Sequence, residues 1–67
     1  MKSLIAGNIK TILDKKGYKQ KAIAARAGYD EKVFSAMLRG RKCIYDYDVA
    51  ILAKALEVSP NELFKQQ

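Results

Sequence analysis

Gly17, Gly28 and Gly40 punctuate the first two thirds of the chain, and between them the apolar residues recur at the spacing of a helix, not a strand. The run before Gly17 places Ile5, Ile9, Ile12 and Leu13 on one face and opens after Ser3, a candidate N-cap. It ends in Lys15 and Lys16, where the negative end of a helix dipole favours cations. A second run, Gln20 to Ala27, turns Ile23, Ala24 and Ala27 inward, with Tyr18 expected to plug the junction with the first. A third begins almost at once: Asp30 is its candidate cap, and Phe34, Met37 and Leu38 form its buried stripe. Two short helices joined by a tight turn containing Gly constitute a helix-turn-helix unit.

Past Gly40 comes a basic loop, Arg41-Lys42. A fourth helix, capped by Asp46, is expected to bury Val49, Leu52, Ala53 and Leu56. Ser59-Pro60-Asn61-Glu62 reads as a capping box with Pro at the first helical position, Ser59 and Glu62 each satisfying the other's free N–H. Leu63 and Phe64 then supply apolar contacts. The spacing predicts helices over about 3–15, 20–27, 31–39, 47–56 and 60–66, with no strand pattern, repeat or linker. An all-α, single domain over 1–67 is expected.

A 67-residue chain buries only about 60% of the surface its unfolded form exposes, so the core is small. Cys43 is the sole cysteine and there is no histidine, which removes an intrachain disulfide, a four-ligand zinc site and His-dependent nucleophile systems. No enzymatic activity, metal, cofactor or small-molecule ligand is expected. Cys43 reads as a reduced, small hydrophobe behind the basic loop. No apolar run approaches the roughly 18 residues of a membrane span, and no signal-peptide pattern opens the chain, so a cytoplasmic location is expected. The net charge of +6 is unevenly spread: residues 1–42 hold eleven basic and three acidic side chains, residues 43–67 two and four. A surface polarised in this way suits a polyanion.

Three stretches carry a family resemblance. Gln20-Lys21-Ala22-Ile23-Ala24-Ala25-Arg26-Ala27-Gly28 resembles the Q-x-x-L-A-x-x-x-G second helix of Cro/C1-type (XRE-like) helix-turn-helix regulators. Asp30 to Gly40 follows, with changes, the family's third helix, S-x-x-x-I-S-x-I-E-x-G. Ala53-Lys54-Ala55-Leu56-Glu57-Val58-Ser59-Pro60-Asn61-Glu62-Leu63-Phe64 is similar to the ending A-x-A-L-x-V-S-x-x-E-L-F. In order and at the family's spacing, they span about residues 5–64. The resemblance implies a compact five-helix, lambda-repressor-like DNA-binding domain whose second and third helices form the helix-turn-helix. It also implies a small Cro-like regulator, such as a phage or mobile element encodes, acting as a repressor on double-stranded DNA. A homodimer on a pseudo-palindromic operator is expected, since one small module binds too weakly to select a site.

Glu31, Lys32, Ser35 and Ala36 lie opposite the buried stripe of the third helix and are the candidate base-contacting residues; by the same resemblance, the positions of Glu31, Lys32 and Ala36 are those that most often read bases. Lys32 suits guanine O6/N7, Glu31 cytosine N4, and Ala36 a thymine methyl; Val33 is an alternative methyl contact. Lys19, Gln20, Lys21, Arg39, Arg41 and Lys42 are candidate phosphate contacts, which position without specifying sequence. Tyr29, Tyr45 and Tyr47 read as packing residues, Tyr47 with a hydroxyl that could reach a phosphate. Ile51 and Ala55 on the outer face of the fourth helix, with Val58, Leu63 and Phe64, are candidates for a dimer interface or for the monomer's own core.

The chain departs from the family pattern at three places. Lys19 stands where Ser or Thr usually caps the second helix, and a Lys cannot accept the helix N–H groups. Leu13 and Leu38 replace a usual Arg–Glu pair and are expected to meet in the core. Glu57 replaces a usual Gly, so a left-handed backbone there would be strained. The rival to a DNA-binding regulator is a protein-interaction module on the same frame, such as an antitoxin or adaptor. Nonspecific nucleic-acid packaging is a second alternative.

Overall fold

Four α-helices and a short 3-10 helix form the regular structure of residues 3–66, the part described by the computed structural model: α1 Leu4–Lys16, α2 Gln20–Ala27, α3 Glu31–Leu38, α4 Asp46–Leu56, and a 3-10 helix at Pro60–Phe64. The all-α architecture agrees with the apolar periodicity. The limits of α2 coincide with the predicted 20–27, and those of α1, α3 and α4 fall within a residue of expectation.

All four α-helices end in the same way. The residue after the last turn is left-handed, its N–H returns to the carbonyl three residues back, and the next N–H reaches five residues back. This Schellman geometry satisfies carbonyls that the helix leaves open. Gly17, Gly28 and Gly40 occupy the left-handed position in the first three, at φ 70°, 82° and 77°. Tyr18, Tyr29 and Arg41 make the longer returns, to Leu13, Ala24 and Ala36. At the end of α4, Glu57 takes the position at φ 59°, and Val58 N–H bonds Ala53 O at 3.0 Å. The strained left-handed backbone at Glu57 is therefore real. Tyr18, Tyr29 and Val58 also pack against the core, the apolar contact that commonly accompanies this turn.

Phe34, Ile9, Ile23, Met37, Leu52, Leu56 and Leu63 are almost completely buried at the centre. α3 packs against α1 and α2, α2 also against α4, and the 3-10 helix against α1 and α4. Leu13 and Leu38 are both buried in the same core cluster and not on opposite surfaces. Ser3 caps α1 by accepting from Ala6 N–H at 3.2 Å, and Asp30 caps α3 by accepting from Lys32 N–H at 2.8 Å. No side chain caps α2 at Lys19.

The structure corrects several expectations. The last segment is a 3-10 helix of five residues, not an α-helix reaching residue 66. Its capping box is half made: Ser59 Oγ accepts from Asn61 N–H at 3.3 Å, while the Glu62 carboxylate turns to Lys65 Nζ at 2.9 Å. Tyr45, not Asp46, is the N-cap of α4, because the Asp48 carboxylate reaches back to Tyr45 N–H at 2.9 Å. Leu63 and Ala55 are buried in the monomer, while Ile51, one turn before Ala55 on α4, is 41% exposed. Phe64, expected to contribute packing, is 52% exposed. Cys43 is exposed, not tucked behind the basic loop. Tyr45 and Tyr47 are also exposed, and their rings stack on each other at 5.5 Å. Of the three tyrosines read as packing residues, Tyr29 alone packs against the core.

Side-chain bonds to backbone carbonyls tie α1 to the last two elements. Asn8, 5% exposed, donates from Nδ2 to the carbonyls of Leu63 and Lys65, both at 2.8 Å. That pair of bonds fixes the 3-10 helix on α1. Lys16 Nζ donates to Leu56 O at 2.9 Å, closing the end of α1 onto the end of α4.

Candidate nucleic-acid interface

With Phe34, Met37 and Leu38 turned into the core, the opposite side of α3 faces solvent. Glu31 and Lys32 are exposed at its first turn, Ser35 and Ala36 half-buried one turn on, and Arg39 exposed at its end. Spacing of four residues puts these side chains in one row on the helix. Gln20 approaches from the start of α2, and Arg41 from the loop after α3. Together Gln20, Glu31, Lys32, Ser35, Ala36, Arg39 and Arg41 line one shallow, open concavity. All four candidate base-contacting residues are in it, with three of the six candidate phosphate contacts. Lys19, Lys21 and Lys42 are exposed but do not line it.

The electrostatics favour an anion. Among the described residues, none of Lys19, Lys21, Lys32, Arg39, Arg41 and Lys42 is engaged in an ion pair. Asp30 spends its carboxylate on the first turn of α3, and Glu31 sits where a helix dipole stabilises negative charge. The cations of this face are thus uncompensated by close partners. An uncapped α2 start, with Lys19 and Lys21 around its free N–H groups, adds to the positive end of that helix dipole.

Outside the lining of this concavity are side-chain contacts that sequence reading missed. The Tyr29 hydroxyl donates to Asp48, which is 4% exposed. Burial, then the hydrogen bond and charge of Asp48, raise the Tyr29 phenol above its ordinary range. Tyr18 and Arg26 converge on the Glu57 carboxylate, each at 3.3 Å, and Arg26 also donates to Ala55 O at 3.1 Å. Nothing in the local pattern marked Asp48 as inward: it lies one turn from Leu52 and reads equally as an acid in the first turn of a helix. The Tyr29–Asp48 pair is 19 residues apart and needed the packing of α2 on α4 to be seen.

The concavity is therefore the exposed row of a helix held on a small rigid frame, flanked by unpaired cations. Comparison with known proteins agrees with it. A restriction-modification controller protein, C.AhdI from Aeromonas hydrophila, has a similar structure, with a TM-score of 0.84 and 26% identity over 91% of this chain and 92% of that one. No curated protein sequence matches the chain. The Cro/C1-type helix-turn-helix DNA-binding domain matches residues 8–67, which include every residue of the concavity, and the chain belongs to that family.

Proposed function

We propose that this chain is a sequence-specific regulator of transcription that reads double-stranded DNA by laying α3 in the major groove, acts as a repressor in the cytoplasm, and works as a single module over residues 1–67. The observation that carries this reading is the concavity joining Gln20 and Arg41 to the row Glu31, Lys32, Ser35, Ala36 and Arg39. A major groove about 12 Å wide admits one α-helix, and its first residues reach the base edges. Lys32 would donate to guanine, Glu31 would accept from cytosine, and Ser35 and Ala36 would touch the next bases along the groove. Lys19, Gln20 and Lys21 would hold phosphates on one side, with Arg39, Arg41 and Lys42 on the other. The likeness to a controller protein supports a role in regulation.

A dimer supplies the affinity that one module lacks. Ile51 and Phe64, 41% and 52% exposed, with half-buried Val58, are the side chains we assign to its interface. The test is selection of the purified chain against a random duplex library at about 150 mM salt, where purely electrostatic binding is weakened. A pseudo-palindrome with half-sites about one helical turn apart supports the reading. Lys32→Ala should then cost about 1–3 kcal/mol and relax one position, whereas Lys42→Ala should weaken all sequences alike and lower the salt slope by about 1. Folded protein that enriches no motif would overturn it in favour of a protein-interaction module.

A further inference from the structure

Asp48 is a buried carboxylate on α4 with no place in the DNA-facing surface. Its two oxygens take donors from opposite ends of the same stretch of chain. Oδ1 accepts from the hydroxyl of Tyr29, which lies in the turn between Gly28 and the α3 cap Asp30. Oδ2 accepts from the N–H of Tyr45, where the basic loop re-enters helix. Between those two points lie α3 and the loop, with Glu31, Lys32, Ser35, Ala36, Arg39 and Arg41. Among the described residues, no other side-chain hydrogen bond ties residues 29–45 to the rest of the chain. The apolar stripe of α3 anchors its buried side in the core, and packing of this kind sets a helix angle only to within about 15–20°. Two directional bonds to one carboxylate constrain both ends.

Capping α4 through Tyr45 N–H accounts for one oxygen of Asp48. The bond from the Tyr29 hydroxyl comes from another part of the chain, and the cap does not need it. We propose that Asp48, through Tyr29 and Tyr45, is a positioning residue for DNA readout, clamping the turn before α3 and the end of the loop after it so that base-contacting and phosphate-contacting residues keep one geometry. The inference rests on the DNA-reading function proposed above. Asp48 touches no DNA in this scheme. It acts on selectivity, because misplaced bidentate contacts lose discrimination while cations on flexible stems still find phosphates.

The test uses Tyr29→Phe, which removes one bond and keeps the ring, and Asp48→Asn, whose amide can accept one of the two donors. Ile9→Val, in the core on α1, serves as a control for lost stability. Each protein is titrated with the selected duplex and with a scrambled one, well below its unfolding midpoint. Tyr29→Phe and Asp48→Asn should lower the ratio of selected to scrambled affinity about five- to ten-fold, the scale of one good base contact. Their salt slopes should stay as in wild type, and Ile9→Val should keep the wild-type ratio. Tyr29→Phe decides the matter alone if Asp48→Asn does not fold. A lowered midpoint with an unchanged ratio makes Asp48 merely structural and overturns the proposal. Wild type that prefers no duplex instead removes the DNA-reading function itself, and the proposal with it.

Discussion

Glu57 offers a test in which backbone and side chain act in opposite directions. A left-handed residue other than glycine carries a cost of about 1–2 kcal/mol, and Glu57 holds φ 59° and ψ 44° at the end of α4. Its carboxylate offsets part of that cost by accepting from Tyr18 and Arg26, each at 3.3 Å. With the Arg26 and Glu57 side chains 53% and 66% exposed, solvent leaves such a pair about 0.2–1 kcal/mol. Glu57→Ala keeps the strained backbone and loses the carboxylate, so it should destabilise by about 0.5 kcal/mol. Glu57→Gly also loses the carboxylate but releases the strain. Its freer unfolded chain returns about 0.4–1 kcal/mol of that gain.

Glycine should therefore exceed alanine by about 1 kcal/mol, leaving it within about 0.5 kcal/mol of wild type. In a domain this small, 1 kcal/mol moves the melting midpoint by about 4–8 °C. Thermal and urea unfolding followed by circular dichroism at 50 mM and 1 M NaCl separates the two contributions. High salt should narrow the gap between wild type and Glu57→Ala, since it screens the exposed pair. It should leave the glycine–alanine gap intact, because that gap is steric. An alanine variant as stable as the glycine variant would refute the reasoning.

Lys19→Ser gives α2 the N-cap it lacks and should raise stability by about 1 kcal/mol, while lowering the salt dependence of DNA binding by about one ion. A stabilised variant with an unchanged salt slope would take Lys19 off the DNA. Asn8→Ala strips the Leu63 and Lys65 carbonyls of their buried donor and should cost about 2 kcal/mol in urea unfolding; a loss below about 0.5 kcal/mol would mean that water replaces the amide. The Tyr29 phenol is raised above the usual tyrosine value near 10. Stability from that shift is full below pH 10 and drains away as pH rises past 10 toward the folded-state value. Wild type should lose more of its melting midpoint between pH 9 and 11 than Tyr29→Phe does, and equal losses would dismiss the coupling.

What was legible in the sequence is what local physics decides. The glycines at 17, 28 and 40 announce left-handed caps, and a glycine in that role needs no tertiary partner, so the ends of α1, α2 and α3 could be read directly. The exposed row of α3 followed from its apolar stripe in the same way: once Phe34, Met37 and Leu38 face inward, Glu31, Lys32 and Ser35 have one direction left. The errors fall where an outcome depends on a distant group. Ser59 to Glu62 has the composition of a capping box, yet Asn8 on α1 holds the following carbonyls in a tighter 3-10 turn and Lys65 takes the Glu62 carboxylate. Asp46 has the composition of a cap, yet Tyr45 takes that position, with Asp48 reaching back to its N–H and Tyr29, from the turn before α3, bonding Asp48 on the inner side. Apolar spacing likewise could not say whether Leu63 and Ala55 face the chain's own core or a second copy.

The same division separates affinity from selectivity. Lys19, Lys21 and Lys42 are exposed and in no ion pair, so in the proposed complex each would act as a nearly independent charge toward a phosphate. Their substitutions should add, change the salt slope and leave sequence choice alone. The row on α3 is different. A bidentate contact discriminates only if both of its bonds reach the base edge together, and that depends on where the frame sets the helix. Tyr29, Asp48 and the left-handed turn at Gly28 are not among the proposed base contacts, yet on the proposed reading a change at any of them would shift the whole row at once. In a frame whose helices are joined by turns this short, substitutions that alter site choice should therefore cluster in two places: on the exposed row of α3, and at the buried contacts behind its ends.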